Sequence, residues 1–302
     1  MKIVVTGSES FIGRELRRHA FAEGIGWVGI DMAAPEGNEH LRMDIRSPEI
    51  DKLIPENSDA LIHLAAVSRT QECREDPKLA FDVNVGGTLN LIRAARERKV
   101  RQFIFASTEW IYGDVVRGEF QREDEPIEPD RIPSEYALSK FFGERVLFMA
   151  YRRGFCPVTI LRFGIVYGPR PNNWSAVEDL FHTVRTKERV EVKGSLKTAR
   201  RFIHVSDVAN GILTALGRQG FEIFNISGDS LITLGEIIKT SQGLLSRQPE
   251  VVEKDPSAVS IHNADNRKAC SVLGWKPQID LKAGLQSLIS NDTLKESACS
   301  GH

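Results

Sequence analysis

Along the first half of the chain, short runs of β-branched and other apolar residues alternate with longer stretches whose apolar positions recur at helical spacing. Lys2 to Thr6, Trp27 to Asp31, Ala60 to Ala65 and Gln102 to Ser107 have strand character, and amphipathic stretches separate them. Strands that alternate with helices predict a parallel sheet covered by helices on both faces. From Pro77 to Lys99, Leu79, Val83, Leu89, Leu91, Ile92 and Ala95 fall near helical spacing, with Arg93, Arg96, Glu97 and Arg98 toward the polar end, and this predicts one long helix. Gly113 to Pro133 is polar and carries Pro126 and Pro129, the composition of a loop of the kind that borders sites.

A further helix follows Pro133, and Val158 to Phe163 is a strand. Beyond Gly168 the rhythm is less regular, which places a second, smaller region at 166–200 and 218–290. Phe202 to Leu216 reads as a strand running into a helix that returns to the first sheet, so the first domain is expected to span 1–165 and about 201–217. Residues 291–302 are polar and small and are expected to form a disordered tail.

At 302 residues the chain accommodates one large or two modest domains. Forty Lys and Arg against 41 Asp and Glu leave a formal charge of -1, so no global field draws in nucleic acid or an anionic membrane, and an anionic ligand must be held locally. The cysteines, at 73, 156, 270 and 299, lack CxxC spacing and a neighbouring histidine pair, which argues against a metal site or a disulfide framework and fits a reducing compartment. No run approaches the roughly 18 apolar residues of a membrane span. The apolar start breaks at Thr6-Gly7 without a signal-peptide pattern, so a cytoplasmic protein is expected.

Two constellations carry chemistry. The first strand runs at once into Gly7-Ser8-Glu9-Ser10-Phe11-Ile12-Gly13 and a helical pattern, the form of a phosphate-binding turn. Asp31 ends the next strand, where a carboxylate can bond both hydroxyls of an adenosine ribose and would repel a 2′-phosphate, which favours NAD over NADP. Asp44-Ile45 could supply a contact near adenine. The second constellation is Tyr136 and Lys140, four apart and so on one helical face, where an ammonium stabilises a phenolate able to take a hydroxyl proton. Thr108, at the end of the strand preceding them, adds a hydroxyl at a carboxyl-terminal sheet edge. The expected class is therefore α/β: a Rossmann-type doubly wound parallel sheet with a smaller mixed α/β C-terminal substrate domain.

TGSESFIG (6–13), HLAA (63–66), the Asn84-containing NVGGT, FASTEWIYG (105–113), YALSK (136–140), LRFGIVYGPR (161–170), RRFIHVSDVA (200–209) and LGWKP (273–277) occur in this order. With them the chain resembles the extended short-chain dehydrogenase/reductases, in particular the NAD-dependent epimerase/dehydratase group that acts largely on nucleotide-linked sugars. The resemblance implies Tyr136 as general acid/base, Lys140 as the residue that orients the nicotinamide ribose and tunes Tyr136, and Thr108 as a hydrogen-bond partner of the reacting oxygen. It implies NAD lined by Gly7, Ser10, Phe11, Ile12, Gly13, Asp31, Asp44, Ile45, Leu64, Ala65, Ala66 and Asn84. It further implies a homodimer formed through the helix before Lys99 and the helix bearing Tyr136.

Three departures from the group's pattern narrow the reaction. Ser10 replaces the middle glycine of the phosphate loop and offers a hydroxyl to the pyrophosphate. Trp110 stands where sugar 4,6-dehydratases and uronic acid decarboxylases usually carry a glutamate, and an indole cannot abstract a proton, while Glu109 sits where many dehydratases have an acid that assists water loss. Ile165 replaces an asparagine that often contacts the nucleotide diphosphate. Substrate anchoring then falls on Thr108, Glu109, Trp110, Arg200, Arg201 and Arg267, with guanidinium forks suited to phosphate. The expected reaction is 4-epimerisation of a nucleotide sugar. NAD-dependent dehydrogenase or ketoreductase action is the alternative, 4,6-dehydration ranks lower, and a non-catalytic NAD-binding protein comes last.

Overall fold

The computed structural model describes residues 1–34, 40–115, 119–172 and 175–289. Strands β1 (Lys2–Thr6), β2 (Gly26–Asp31), β3 (His40–Arg42), β4 (Ala60–His63), β5 (Phe103–Thr108) and β6 (Val158–Phe163) join one later strand, β11 (Phe221–Ile226), in a seven-stranded sheet. Its order is β11-β6-β5-β4-β1-β2-β3, and every pairing is parallel. The chain winds outward from β1 to β3, then restarts beside β1 with β4 and winds the other way. The β1/β4 boundary is thus the topological switch point at whose carboxyl edge open α/β sheets bind ligands.

Alternation along β1 shows why the sheet needs helices on both sides. Ile3 and Val5 enter one core with Leu16, Ala20, Val208, Ile212 and Trp275, whereas Val4 enters the opposite core with Ile30, Leu91, Phe103 and Leu147. The first core is covered by α1 (Phe11–Ala22) and α7 (Val205–Thr214), which pack together. The second is covered by α4 (Thr88–Glu97) and α5 (Glu135–Arg152).

The stretch expected as one helix from Pro77 is divided. After α2 (Thr70–Glu75), α3 (Pro77–Phe81) leads into a π-helical turn, Asp82–Gly87, before α4. The widened turn lets the Asn84 amide leave the helix and bond Val67, with Val67 N–H donating to Oδ1 at 2.8 Å and Nδ2 donating to Val67 O at 2.9 Å.

A separate core of Tyr167, Val177, Leu180, Phe181, Val190, Ile237 and Leu285 lies beyond the sheet. It is built from β7 (Val166–Tyr167), α6 (Ala176–Thr186), β8 (Arg189–Val192), β12 (Ile232–Thr233), α8 (Leu234–Leu245), β13 (Glu250–Glu253) and a helix over 281–289, with β9 (Ala199–Arg200) paired to β12. Strand β10 (Ile203–His204), expected to return to the first sheet, pairs with β7 instead, although Ile203 enters the first core. One expectation is corrected: Phe221–Ile226 does not belong to this region, because β11 pairs residue for residue with β6 and closes the large sheet. Its partly apolar pattern carries no sign of which sheet it joins. The tail expected at 291–302 lies outside the described residues.

Candidate functional site

At the switch point the phosphate loop is held by backbone demands that only glycine meets. Gly7 has φ +74°, and a Cβ there would stand 2.6 Å from Ala65 N; one on Gly13 would stand 2.4 Å from Gly7 O. Ser10 is the N-cap of α1, its hydroxyl accepting from Gly13 N at 3.0 Å. The serine that replaces a glycine is therefore committed first to the helix, although its residue still lines the cavity described below. Asp31 accepts from Glu9 N (3.0 Å) and Ala33 N (2.9 Å), which fixes its carboxylate against the loop.

A cavity of about 480 Å³ opens beside this loop. Ser10 lines it from the α1 N-cap, Phe11 and Ile12 from α1, Leu64 and Ala66 from the segment after β4, Ser107 from β5, and Tyr136 and Lys140 from the first turns of α5. Ser134 caps α5, accepting from Ala137 N, so Tyr136 is the second residue of the helix and Lys140 follows one turn later. Burial pushes the Tyr136 phenol upward and brings the Lys140 ammonium down to about 8, while that ammonium sits 4.8 Å over the Phe105 ring. In the protein alone, desolvation of the phenolate dominates at Tyr136.

Below the pair, His63 Nδ1 meets Thr6 Oγ1 at 2.8 Å and Nε2 meets Thr88 Oγ1 at 3.1 Å. Because Thr88 donates its hydroxyl to Asn84 O, His63 must donate from Nε2 and accept at Nδ1. Burial, with the Lys140 charge adding to it, holds this ring neutral. It is a structural histidine.

Other expected residues stand elsewhere. Asn84 is buried, and its amide is spent on Val67 and on Ser139 Oγ at 2.9 Å, so it pins α5 beside Lys140 without lining the cavity. Asp44 is ion-paired with Arg46 at 2.6 Å, and Ile45 packs in the core under Gly87, so neither lines it. Ala65 places its N–H on Thr6 O. Thr108 is buried with its hydroxyl accepting from Trp110 N at 3.3 Å, and Ser107, its neighbour, is the β5 hydroxyl residue that lines the cavity.

On the side of the second region, Trp110 meets the His262 ring edge-on at 4.5 Å and lies under the Arg200 guanidinium at 5.3 Å. Arg200 donates to Ala199 O (2.8 Å) and to Ser260 Oγ (2.6 Å). Arg201 donates to Asn263 Oδ1 (2.6 Å), Gly228 O (2.9 Å) and Asp229 O (3.0 Å). Both are buried, and their forks knit the 258–265 segment to β9. Arg267 grips Asp265 at 2.6 Å, lies over Phe120, and lines a separate groove with Arg122 and Lys268, so it is not brought together with Tyr136. Glu109 is fully buried, neither carboxyl oxygen has a hydrogen-bond partner, and desolvation raises it to about 8 against the opposing charges of Arg200 and Arg201.

A family model described as NAD dependent epimerase/dehydratase family matches residues 3–227. The chain belongs to this family. It is 26% identical over 95% of its length to a UDP-glucuronate 4-epimerase of Thermodesulfobacterium geofontis, covering 94% of that protein. It is 29% identical over 95% of its length to a putative UDP-glucose 4-epimerase of Methanocaldococcus jannaschii, covering 97% of it. Among solved structures, a UDP-glucuronic acid 4-epimerase from Bacillus cereus in complex with UDP-glucuronic acid and NAD superposes with a TM-score of 0.84 at 26% identity, over 98% of this chain and 100% of that one. The chain is thus an enzyme of an NAD-dependent family, and the cavity beside its phosphate loop fits a dinucleotide by a glycine-shaped turn and a basic lining, while Asp31 is held against the loop outside the cavity's own lining.

In this member of the epimerase/dehydratase family, sequence reasoning missed a buried network behind Ser107. Ser107 Oγ donates to Glu144 Oε1 at 2.6 Å; Arg162 forks onto both Glu144 oxygens at 3.0 and 2.8 Å and reaches the Tyr112 hydroxyl at 2.7 Å. Tyr112 donates to Asn225 Oδ1 at 2.9 Å, tying β5, β6 and β11 together at their carboxyl ends. A charged residue inside the wholly buried strand VTILRF was the available signal.

Proposed function

We propose that this enzyme catalyses NAD-dependent 4-epimerisation of a nucleotide-linked sugar. The observation that carries the reading is that Tyr136 and Lys140 open onto the same cavity as the phosphate loop. Bound NAD supplies a hydride acceptor and donor in one molecule. Tyr136 takes the proton of a sugar hydroxyl as the carbon-bound hydride leaves, and later returns that proton to the ketone oxygen. Lys140 offsets the phenolate charge that burial otherwise disfavours. Ser107 on β5 lines that cavity beside Thr108, whose hydroxyl accepts from Trp110 N, and Trp110 and Arg200 lie beyond it toward the second region. Trp110 supports epimerisation over dehydration because its indole, clamped by Arg200 and His262, supplies no base there. The relatives that act on UDP-glucose and UDP-glucuronate make UDP-sugars the first substrates to try.

Incubation with NAD and UDP-glucose or UDP-glucuronate, followed by proton NMR and by absorbance of NADH, is expected to give a new sugar isomer without net NADH. Tyr136→Phe is expected to reduce turnover by roughly 10² to 10⁴-fold. Accumulating NADH with an oxidised sugar would make the enzyme a dehydrogenase.

The same reading includes a homodimer in the cytoplasm. Leu89 on α4 and Phe142 and Met149 on α5 are about half exposed, with Phe142 and Met149 two turns apart on one face. Among the described residues Cys73, Cys156 and Cys270 are free thiols, and no helix is long and apolar enough to cross a membrane. Light scattering is expected to give twice the chain mass for the wild type and the single-chain mass for Phe142→Glu with Met149→Glu. A monomeric wild type would remove the dimer.

A further inference from the structure

The last residue of LRFGIVYGPR has no role in the function proposed above. Arg170 follows β7 and belongs to the second region, yet its guanidinium lies 4.4 Å from the centroid of the Phe11 ring, the first residue of α1. Its Nε donates to Glu178 Oε1 at 2.7 Å, and Nη2 is 3.3 Å from Val166 O. Glu178 is itself buried and held, accepting from Gly168 N at 3.1 Å, from Ser175 N at 2.9 Å and from Ser175 Oγ. The arginine is therefore oriented from behind, by a carboxylate that is part of the α6 cap, and presented face-on to the phosphate loop.

The guanidinium, balanced on one edge by Glu178, faces the positive end of α1 with its ring side on Phe11. A helix N-terminus carries roughly half a positive charge, which disfavours a cation beside it and attracts an anion. Arg170 is mostly buried there, and Arg14, Arg69 and Lys140 line the same cavity, against Glu9 as the acidic residue among its described lining. An anion at this point lies between the α1 N-terminus and Arg170, whose other edge Glu178 already holds. Asp31, at the end of β2, marks the ribose side, which leaves the loop and the arginine for the phosphates.

We infer that Arg170 clamps the pyrophosphate of the bound dinucleotide against the phosphate loop, so that the cofactor is gripped between the first region and the second. The inference rests on the NAD assignment and extends it to a residue outside the dinucleotide-binding half. A guanidinium suits the task better than an ammonium, because one face can stack on Phe11 while its edge serves oxygens. The cofactor then also fastens residues 168–172 to α1.

Calorimetric titration of the full chain with NAD, with ADP-ribose and with UDP separates the alternatives. Arg170→Met keeps an apolar stem over Phe11 and removes the charge; Arg170→Lys keeps the charge and loses the fork. Both variants are first checked for a wild-type circular dichroism spectrum. ADP-ribose, which holds the pyrophosphate and lacks nicotinamide, is expected to bind Arg170→Met at least tenfold more weakly than wild type, with Arg170→Lys between them and NAD following the same order. ADP-ribose binding to Arg170→Met within twofold of wild type overturns the inference and leaves Arg170 as an anchor for Glu178. Weakened UDP binding with unchanged ADP-ribose binding overturns it in favour of the substrate diphosphate. A wild type that binds neither NAD nor ADP-ribose removes the cofactor assignment and the clamp together, an outcome distinct from a variant that binds as well as wild type.

Discussion

Glu109 and Tyr136 are both buried acids, and in both desolvation raises the affinity for the proton. For Tyr136 that cost is part of the chemistry, since a positive charge in the cavity can relieve it. Glu109 has nothing in the protein to relieve it: its two oxygens are unpartnered, and Arg200 and Arg201 only moderate a rise to about 8. The native state therefore holds a proton at pH values where the unfolded chain, with an ordinary glutamate, has released it. Stability from this group is full below about pH 4.5 and declines toward pH 8, by up to ~1.4 kcal/mol per pH unit. Glu109→Gln is expected to flatten that slope, so that the variant gains on the wild type as pH rises from 5 to 8. Thermal unfolding at three pH values in that window checks it, and parallel curves for the two proteins would contradict it. The type and position of Glu109 were legible in the motif at 105–113, but its desolvation was not, because groups that face it, such as Arg200 and Arg201, arrive about 90 positions later.

At the scale of elements, glycine spacing was readable, while side-chain commitments, helix caps among them, were not. Gly7, Gly13 and the strand before them mark the loop because a Cβ has no room there, a constraint local enough to show in sequence. Ser10 shows the limit: a hydroxyl at that position suits either a pyrophosphate or a helix cap, and the observed bond to Gly13 N makes it a cap. Ser10→Ala is expected to cost about 1 kcal/mol of stability, measured by urea unfolding, and to change NAD affinity less than threefold. A larger loss of affinity with unchanged stability would return Ser10 to the pyrophosphate. The interruption at Asp82–Gly87 was equally hidden, since apolar spacing continues through it; the Asn84 amide, drawn out to Val67, is what widens the turn.

Across the whole molecule, the carboxyl edge of the sheet is held by a buried ion pair. Glu144 on α5 and Arg162 on β6 are almost without exposure, and they connect Ser107 at the cavity to Asn225 on β11 through Tyr112. Removing one partner strands the other charge, so Glu144→Ala is expected to lower stability by roughly 3–5 kcal/mol. The midpoint of denaturant unfolding checks this, and a shift under 1 kcal/mol would show that water or a neighbour replaces the carboxylate. The sequence by itself determined the alternation of strands and helices, the phosphate loop, the helical pairing of Tyr136 with Lys140 and the family, because each depends on residues close in the chain. Tertiary structure alone decided that β11 closes the first sheet, that Arg201 and Arg267 are spent on partners within the protein, and that Arg170 crosses to Phe11. Those outcomes depend on which distant segments compete for one strand edge or one guanidinium, and that competition is settled only when the whole chain packs.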